Sequence, residues 1–318
     1  MANNKYAVLV GCNYPNTKNE LHGCVNDVNR MQGTLVHRFG FAKDNITLLI
    51  DTDESYTKPT GENICNALLE MVGKAKAGDV LFFHYSGHGT LVPLHNRRDE
   101  CIVPCDFNLL SDEDFRLIVN QVPDGACFTM VSDSCHSGGL IDKEKEQIGP
   151  HSPSEIVEDE EEDPFIPAKG SKFLPLDSIL QILREKTGQA EMEGEDIKTA
   201  LFHLFGGKSS SKVKVGQTRE LKAEQARVHP DMGILLSGCE TNETSADACP
   251  SGNPEEAFGA FSNAVQMVLA GHPRPIANRD LVLQSRMLLK RDDYSQHPCL
   301  YCSDQNAQAN FLCEQPHK

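Results

Sequence analysis

The chain has 318 residues, 39% of them hydrophobic and 24% charged, with a formal net charge of −16. That length and apolar content allow a sizeable core in one large or two moderate domains and exclude a disordered or fibrous chain. The acidic balance argues against nucleic acid as a partner, because phosphate binding needs a cationic face, and favours basic ligands or substrates.

Residues 1–5 lead straight into the apolar run Tyr6-Ala7-Val8-Leu9-Val10, too short a lead for a secretory signal, and no apolar stretch reaches the length of a bilayer span. The expectation is a cytosolic chain with no membrane partner. Periodicity predicts short buried strands over 6–11, 46–50, 79–85 and 127–132, with helices over 21–38 and 60–76. Past Ile141 the pattern weakens until about Pro230. This stretch holds an acidic run over 155–163 between Pro153 and Pro164, and a polar run, Gly206-Gly207-Lys208-Ser209-Ser210-Ser211-Lys212. Apolar residues return at helical spacing over 173–186, 257–269 and 279–290, with strands over 232–237 and 298–302. Strands alternating with helices predict an α/β fold with a mostly parallel sheet covered on both faces.

The 12 cysteines are scattered over a chain with no export signal, so they read as reduced thiols. Cys12, Cys65, Cys101 and Cys127 lie in apolar surroundings and are expected in the core. Cys299 and Cys302 with nearby His297 make only part of a zinc donor set, and without a second Cys-x-x-Cys they read as ordinary strand cysteines.

Two strand ends carry the chemistry. The run 79–84 closes in Tyr85-Ser86-Gly87-His88-Gly89, and the run 127–131 closes in Ser132-Asp133-Ser134-Cys135-His136-Ser137-Gly138-Gly139. On neighbouring parallel strands, His88 and Cys135 meet at the carboxyl edge of the sheet, where open α/β folds place their ligands. A cysteine attacks a carbonyl as thiolate, and an imidazole beside it can hold the thiolate and then protonate the leaving amine. Taken singly, Cys135 reads as a core thiol and His88 as a loop histidine; paired in matching strand ends they read as nucleophile and base. The N–H groups of Gly89 and Cys135 are candidates for an oxyanion hole.

These motifs, with the opening Ala7-Val8-Leu9-Val10-Gly11-Cys12-Asn13-Tyr14-Pro15, Leu21 to Val28, Asp99 to Pro104, Leu140 to Pro150 and Ser237 to Asp247, resemble a plant type II metacaspase, a caspase-like cysteine peptidase. The short linker is similar to that of the metacaspase-9 branch. The resemblance implies a caspase-like three-layer α/β/α sandwich. It also implies a large p20-like region over 1–142 with the dyad, an acidic linker over 143–172 with a self-cleavage site, and a small p10-like region over 173–318 with a loose segment about 187–230.

Metacaspases cleave after Arg or Lys, and their acidic S1 pocket matches Asp27, Ser86 and Asp133. Two carboxylates in a shielded cleft suit a guanidinium or ammonium; helix or strand-end capping is the other reading of both acids. Cys24 matches a second family cysteine near the cleft, read as a core thiol before an auxiliary nucleophile. The chain is expected to be a zymogen that cuts its own linker. Lys172, in a segment expected to be exposed just past the acidic run, is the expected site; Lys169 is the alternative, and Arg184 and Lys186 fall in a predicted helix. No cofactor is required on this reading. Calcium is not expected to be essential: the loop after His88 is short and partly basic, and Asp99, Glu100, Asp112, Glu113, Asp114 and Asp142 read as solvated acids rather than a metal site. The family implies a monomer acting on protein substrates in the cytoplasm, with the nucleus or, after cell death, the extracellular space as alternatives, and a role in programmed cell death or stress proteolysis. The competing readings are a catalytically idle scaffold with the same fold and a peptidase of the same clan directed to Asn or Asp.

Overall fold

A computed structural model describes residues 3–94, 97–135, 146–149, 170–188, 197–209, 233–240 and 243–315. At its centre is a seven-stranded sheet in the order β2-β1-β3-β7-β9-β12-β8. The strands are β1 (Lys5–Gly11), β2 (Ile46–Ile50), β3 (Val80–Ser86), β7 (Cys127–Asp133), β8 (Glu146–Ile148), β9 (Ile234–Ser237) and β12 (Cys299–Tyr301). The first five in spatial order run parallel; β12 pairs antiparallel with β9 and with β8.

The period of two in each strand divides the core. Val8 and Val10 of β1 with Leu81, Phe83 and Tyr85 of β3 face one apolar layer, while Ala7 and Leu9 with Val80 and Phe82 face the other. The first layer is completed by α2 (Gly61–Lys74), α3 (Asp112–Val119), α4 (Leu176–Thr187) and α5 (Ile197–Phe205). The second is completed by α1 (Cys24–His37), α6 (Ala260–Gly271) and α7 (Asn278–Arg291). The result is the α/β/α sandwich expected from the alternation. Local signals set the helix starts: the Thr60 side chain accepts the Asn63 N–H before α2, and Ser111 and Asp114 form a capping box on α3. Gly188, with φ 70°, ends α4 in the left-handed conformation that favours glycine.

Two features depart from the expected pattern. A small antiparallel sheet of β4 (Gly89–Leu94), β5 (Arg97–Ile102) and β6 (Leu110–Ser111) stands where no strand was predicted. Helix α5 lies inside the stretch read as loose; it packs there because Ile197, Ala200 and Leu201 reach the core beside α4. A second small pair joins β10 (Asp247–Ala248) to β11 (Phe258–Gly259). The acidic run 155–163 lies outside the described residues. Among the described residues no helix is long and apolar enough to cross a membrane.

Candidate active site

β3 and β7 are in parallel register, with Ser86 opposite Asp133, so their turn motifs leave the sheet side by side. Gly89 permits the close approach of the two exits: a Cβ there would fall 1.8 Å from the Cys135 carbonyl oxygen.

His88 is buried, its ring tilted 37° against Tyr14 at a centroid distance of 4.8 Å. Tyr14 has φ 51°, and its N–H donates to Asp51 Oδ2 at 2.7 Å. Its hydroxyl accepts the His88 N–H at 2.9 Å. Nε2 of His88 lies 2.8 Å from the Asn19 carbonyl oxygen. A carbonyl can only accept, so Nε2 carries the hydrogen and the lone pair of the neutral imidazole sits on Nδ1. Nδ1 is buried and has no hydrogen-bond partner. Burial lowers the His88 pKa against the opposing pull of the Asn19 and Lys172 carbonyls, which keeps the ring a neutral base near pH 7.

Cys135 is fully buried, and its Sγ accepts the Ser245 N–H at 3.1 Å. Cys239, on the exit of β9, has its pKa raised by a hydrogen bond with Cys135 and by burial, so it stays a thiol. Among the described residues no hydrogen bond joins Cys135 to His88.

A fully buried pocket adjoins this pair. Asp27 enters it from α1, Ser86 from the end of β3 and Asp133 from the end of β7. Its occupant is Lys172. The ammonium lies 3.1 Å from Asp133 Oδ1 and 3.8 Å from Asp27 Oδ2, and donates to Ser86 Oγ at 2.9 Å and to the Asp133 carbonyl at 3.1 Å. Ser86 Oγ donates in turn to Asp27 Oδ2 at 2.7 Å. Gly259 N–H donates to Asp27 and Ser262 N–H to Asp133 Oδ2. Below, His84 Nε2 lies 3.0 Å from Ser262 Oγ, and burial lowers its pKa to about 4.

Two carboxylates against one ammonium leave an excess negative charge in a dry site. Burial, with the Asp133 charge adding to it, therefore pushes Asp27 up to about 8, although Lys172 opposes this. For Lys172 burial favours the neutral amine, yet the carboxylates outweigh it and raise its pKa above the ordinary lysine value.

The chain around Lys172 is extended and paired on both sides. Lys172 N–H donates to the Ser245 carbonyl at 2.9 Å, and Ser171 bridges Ala246 antiparallel. The Gly89 N–H donates to the Lys172 carbonyl at 2.9 Å, and Leu174 N–H donates to the Gly89 carbonyl at 3.0 Å. This corrects the expectation of an exposed segment: Lys172 is 0% exposed. The backbone is held as a strand, and the charge is compensated from three separate elements.

Of the other residues named from the sequence, Cys24 is buried at the start of α1, and burial raises its pKa well above that of a reactive thiol. The expectation of solvated acids is corrected for three of them: Asp99 and Glu100 are buried on β5, and Asp114 is buried in the first turn of α3, where it closes the capping box beside Asp112 and Glu113. Asp142 and Lys169 lie outside the described residues. Among the described residues the grouping with metal-ligand spacing is Glu240, Glu243 and His297, which includes none of the calcium candidates. His297 Nδ1 is paired with Glu243 at 2.5 Å, and Cys299 and Cys302 are buried.

Sequence reasoning missed Asn19, Ser245, Gly259 and Ser262. Ser245 stands in the 237–247 stretch that carried the resemblance, but these positions serve mainly through backbone N–H and C=O groups, which every residue type supplies.

The sequence model of the family described as the caspase domain matches residues 4–309. The chain belongs to the caspase-domain peptidases. Within that family its relatives are metacaspases. It is 51% identical to Metacaspase-9 of Arabidopsis thaliana, covering 99% of this chain and 98% of that one. It is 42% identical to Metacaspase-6 of the same plant, covering 97% of this chain and all of the relative. A Geobacter sulfurreducens protein of known structure, 17% identical, superposes with a TM-score of 0.56 over 97% of this chain and 98% of that one, which shows the fold alone. This metacaspase is accordingly a caspase-like cysteine peptidase acting on proteins or peptides, on the fold its sequence pattern predicted.

Proposed function

We propose that this metacaspase is the zymogen of an endopeptidase that cuts after Lys or Arg, and that its first cut is its own, between Lys172 and Phe173. The observation that carries the reading is the seating of Lys172, with its ammonium among Asp133, Asp27 and Ser86 and its carbonyl on the Gly89 N–H. A guanidinium presents more donors to the same acids, so Arg suits the pocket as well.

The reaction runs from this arrangement. Nδ1 of His88 takes the Cys135 thiol proton, and Sγ attacks the Lys172 carbonyl carbon. The charge gathering on the carbonyl oxygen is met by the Gly89 N–H. As the C–N bond breaks, its electron pair goes to the Phe173 nitrogen, which takes the proton from His88. The thioester left on Cys135 is hydrolysed by water whose proton passes to His88, releasing the Lys172 carboxylate and restoring the thiol.

Calcium is dispensable in this reading, which rests on the short, partly basic loop after His88. Monomeric state, cytoplasmic location and a part in programmed cell death or stress proteolysis rest on the likeness to plant metacaspases. Intact-mass measurement of the wild-type chain beside Cys135→Ala tests the first cut. Fragments meeting at Lys172–Phe173 in the wild type alone support it; a junction elsewhere, or cleavage persisting in the variant, refutes it. Reporter peptides with Arg, Lys, Asn or Asp at the cleaved position test the specificity.

A further inference from the structure

We propose that Gly259 sets the depth of the S1 pocket and is a specificity-determining residue: the space that a side chain at this position would fill is the space the basic group of the substrate occupies. The proposal rests on the reading of the pocket as a site for Lys or Arg.

Gly259 closes β11 immediately before α6, and its N–H donates to both oxygens of Asp27, at 3.1 and 2.9 Å. Its backbone has φ −73° and ψ 128°, extended values that any L-residue adopts without strain. Conformation therefore does not call for glycine here. Space does: a Cβ on residue 259 would lie 2.2 Å from Lys172 Nζ, 2.2 Å from Asp133 Oδ2 and 2.6 Å from Asp27 Oδ2. One methyl group would thus stand where the ammonium and both carboxylates converge. Ser86 and the Asp133 carbonyl hold the ammonium on its other sides, so the guest cannot slide away along the floor. The main-chain N–H that steadies Asp27 survives any substitution except proline, which separates the loss of room from the loss of that bond.

A Gly259→Ala pocket should reject lysine and accept a basic side chain one methylene shorter. The test compares reporter peptides with Lys or ornithine at the cleaved position on wild type and Gly259→Ala. Each chain is first cut in the linker by a trace of tagged wild-type enzyme, which is then removed, and cutting is verified by intact mass. The kcat/KM ratio of ornithine to Lys should rise about tenfold or more in the variant, the discrimination that one methylene brings in a close-fitting pocket. An unchanged ratio overturns the proposal. Wild type that cleaves Asn or Asp peptides and neither basic peptide overturns the underlying reading instead, so the two failures are distinguishable.

A second measurement needs no activity. In a Cys135→Ala background, Gly259→Ala should lower the melting temperature of the uncut chain more when Lys172 is present than when Lys172→Ala has emptied the pocket. Equal losses in the two backgrounds would mean that the methyl disturbs the scaffold rather than the guest, and would also overturn the proposal.

Discussion

In the acidic pocket the occupant is already matched, with Lys172 3.1 Å from Asp133 and Ser86 donating to Asp27 at 2.7 Å, whereas no hydrogen bond joins the neighbouring His88 and Cys135. His88 Nδ1 has no partner, and Cys135 Sγ is held by Ser245 rather than by His88. On the proposed function, binding energy is thus invested in placing the peptide, while the groups that would change their bonding during the reaction are left without a strong ground-state partner to break. Interactions that hold the ground state as firmly as the transition state give no acceleration, so this division favours turnover.

The largest effect that would break the comparison is removal of the nucleophile. Cys135→Ala should lower linker cleavage and peptide hydrolysis by about six orders of magnitude, as loss of a catalytic nucleophile does elsewhere. Its melting temperature should stay near that of the uncut wild type, because the pocket remains filled; calorimetry beside the peptide assay checks both.

Next comes the pocket. Asp133→Asn should cost on the order of 2 to 5 kcal/mol in transition-state binding of basic peptides, the range for truncating one partner of a buried charge pair. Asp27→Asn should cost less, since Asp27 stands at 3.8 Å from the ammonium against 3.1 Å for Asp133 and is partly protonated already. Equal kcat/KM losses in the two variants would show that the pocket does not distinguish its acids.

The raised Asp27 pKa also predicts a pH dependence of the uncut chain. Its folded value, about 8, exceeds the ordinary 3.8, so the folded state holds this proton more tightly than the unfolded chain does. The contribution to stability is fully present below about pH 3.8 and is lost as pH rises toward about 8, with a slope of at most roughly 1.4 kcal/mol per pH unit. Asp27→Asn in a Cys135→Ala background should flatten this part of the melting profile; an identical profile in both chains would count against it.

The smallest effect concerns Ser245 and Ala246, which pair with the chain around Lys172. Gln296 is buried, accepts the Ala246 N–H at 2.9 Å and donates to the Gly238 carbonyl at 2.8 Å. Gln296→Ala should reduce kcat/KM by about 1 kcal/mol or somewhat more, the worth of neutral hydrogen bonds in a buried network, and should do so through KM. A change confined to kcat would instead connect Gln296 to the catalytic pair.

Part of this site was legible because its signals are local. An apolar run of strand length ending in Gly and Ser, repeated at 79–89 and 127–139, announces two strand ends, and parallel pairing of β3 with β7 sets the turns that carry His88 and Cys135 side by side. The smaller elements left weaker traces. Helix α3 has only 8 residues and starts with Asp112, Glu113 and Asp114, and α5 stands between polar stretches, so neither shows a full amphipathic period.

The sequence by itself determined the α/β alternation and which side chains are candidates for a dyad and for an acidic pocket, because strand composition, glycine turns and reactive side chains are properties of residue type at a position. Only the tertiary structure decided that Lys172 is a guest in the pocket rather than an exposed lysine. Its burial depends on Ser86 and Asp133, 86 and 39 positions away, and on Asp27 from α1. A buried ammonium is tolerable only where those charges converge, and no window along the chain contains that convergence. The same holds for Asn19, Ser245 and Gly259, whose backbone groups or missing side chain acquire meaning from what the fold places against them.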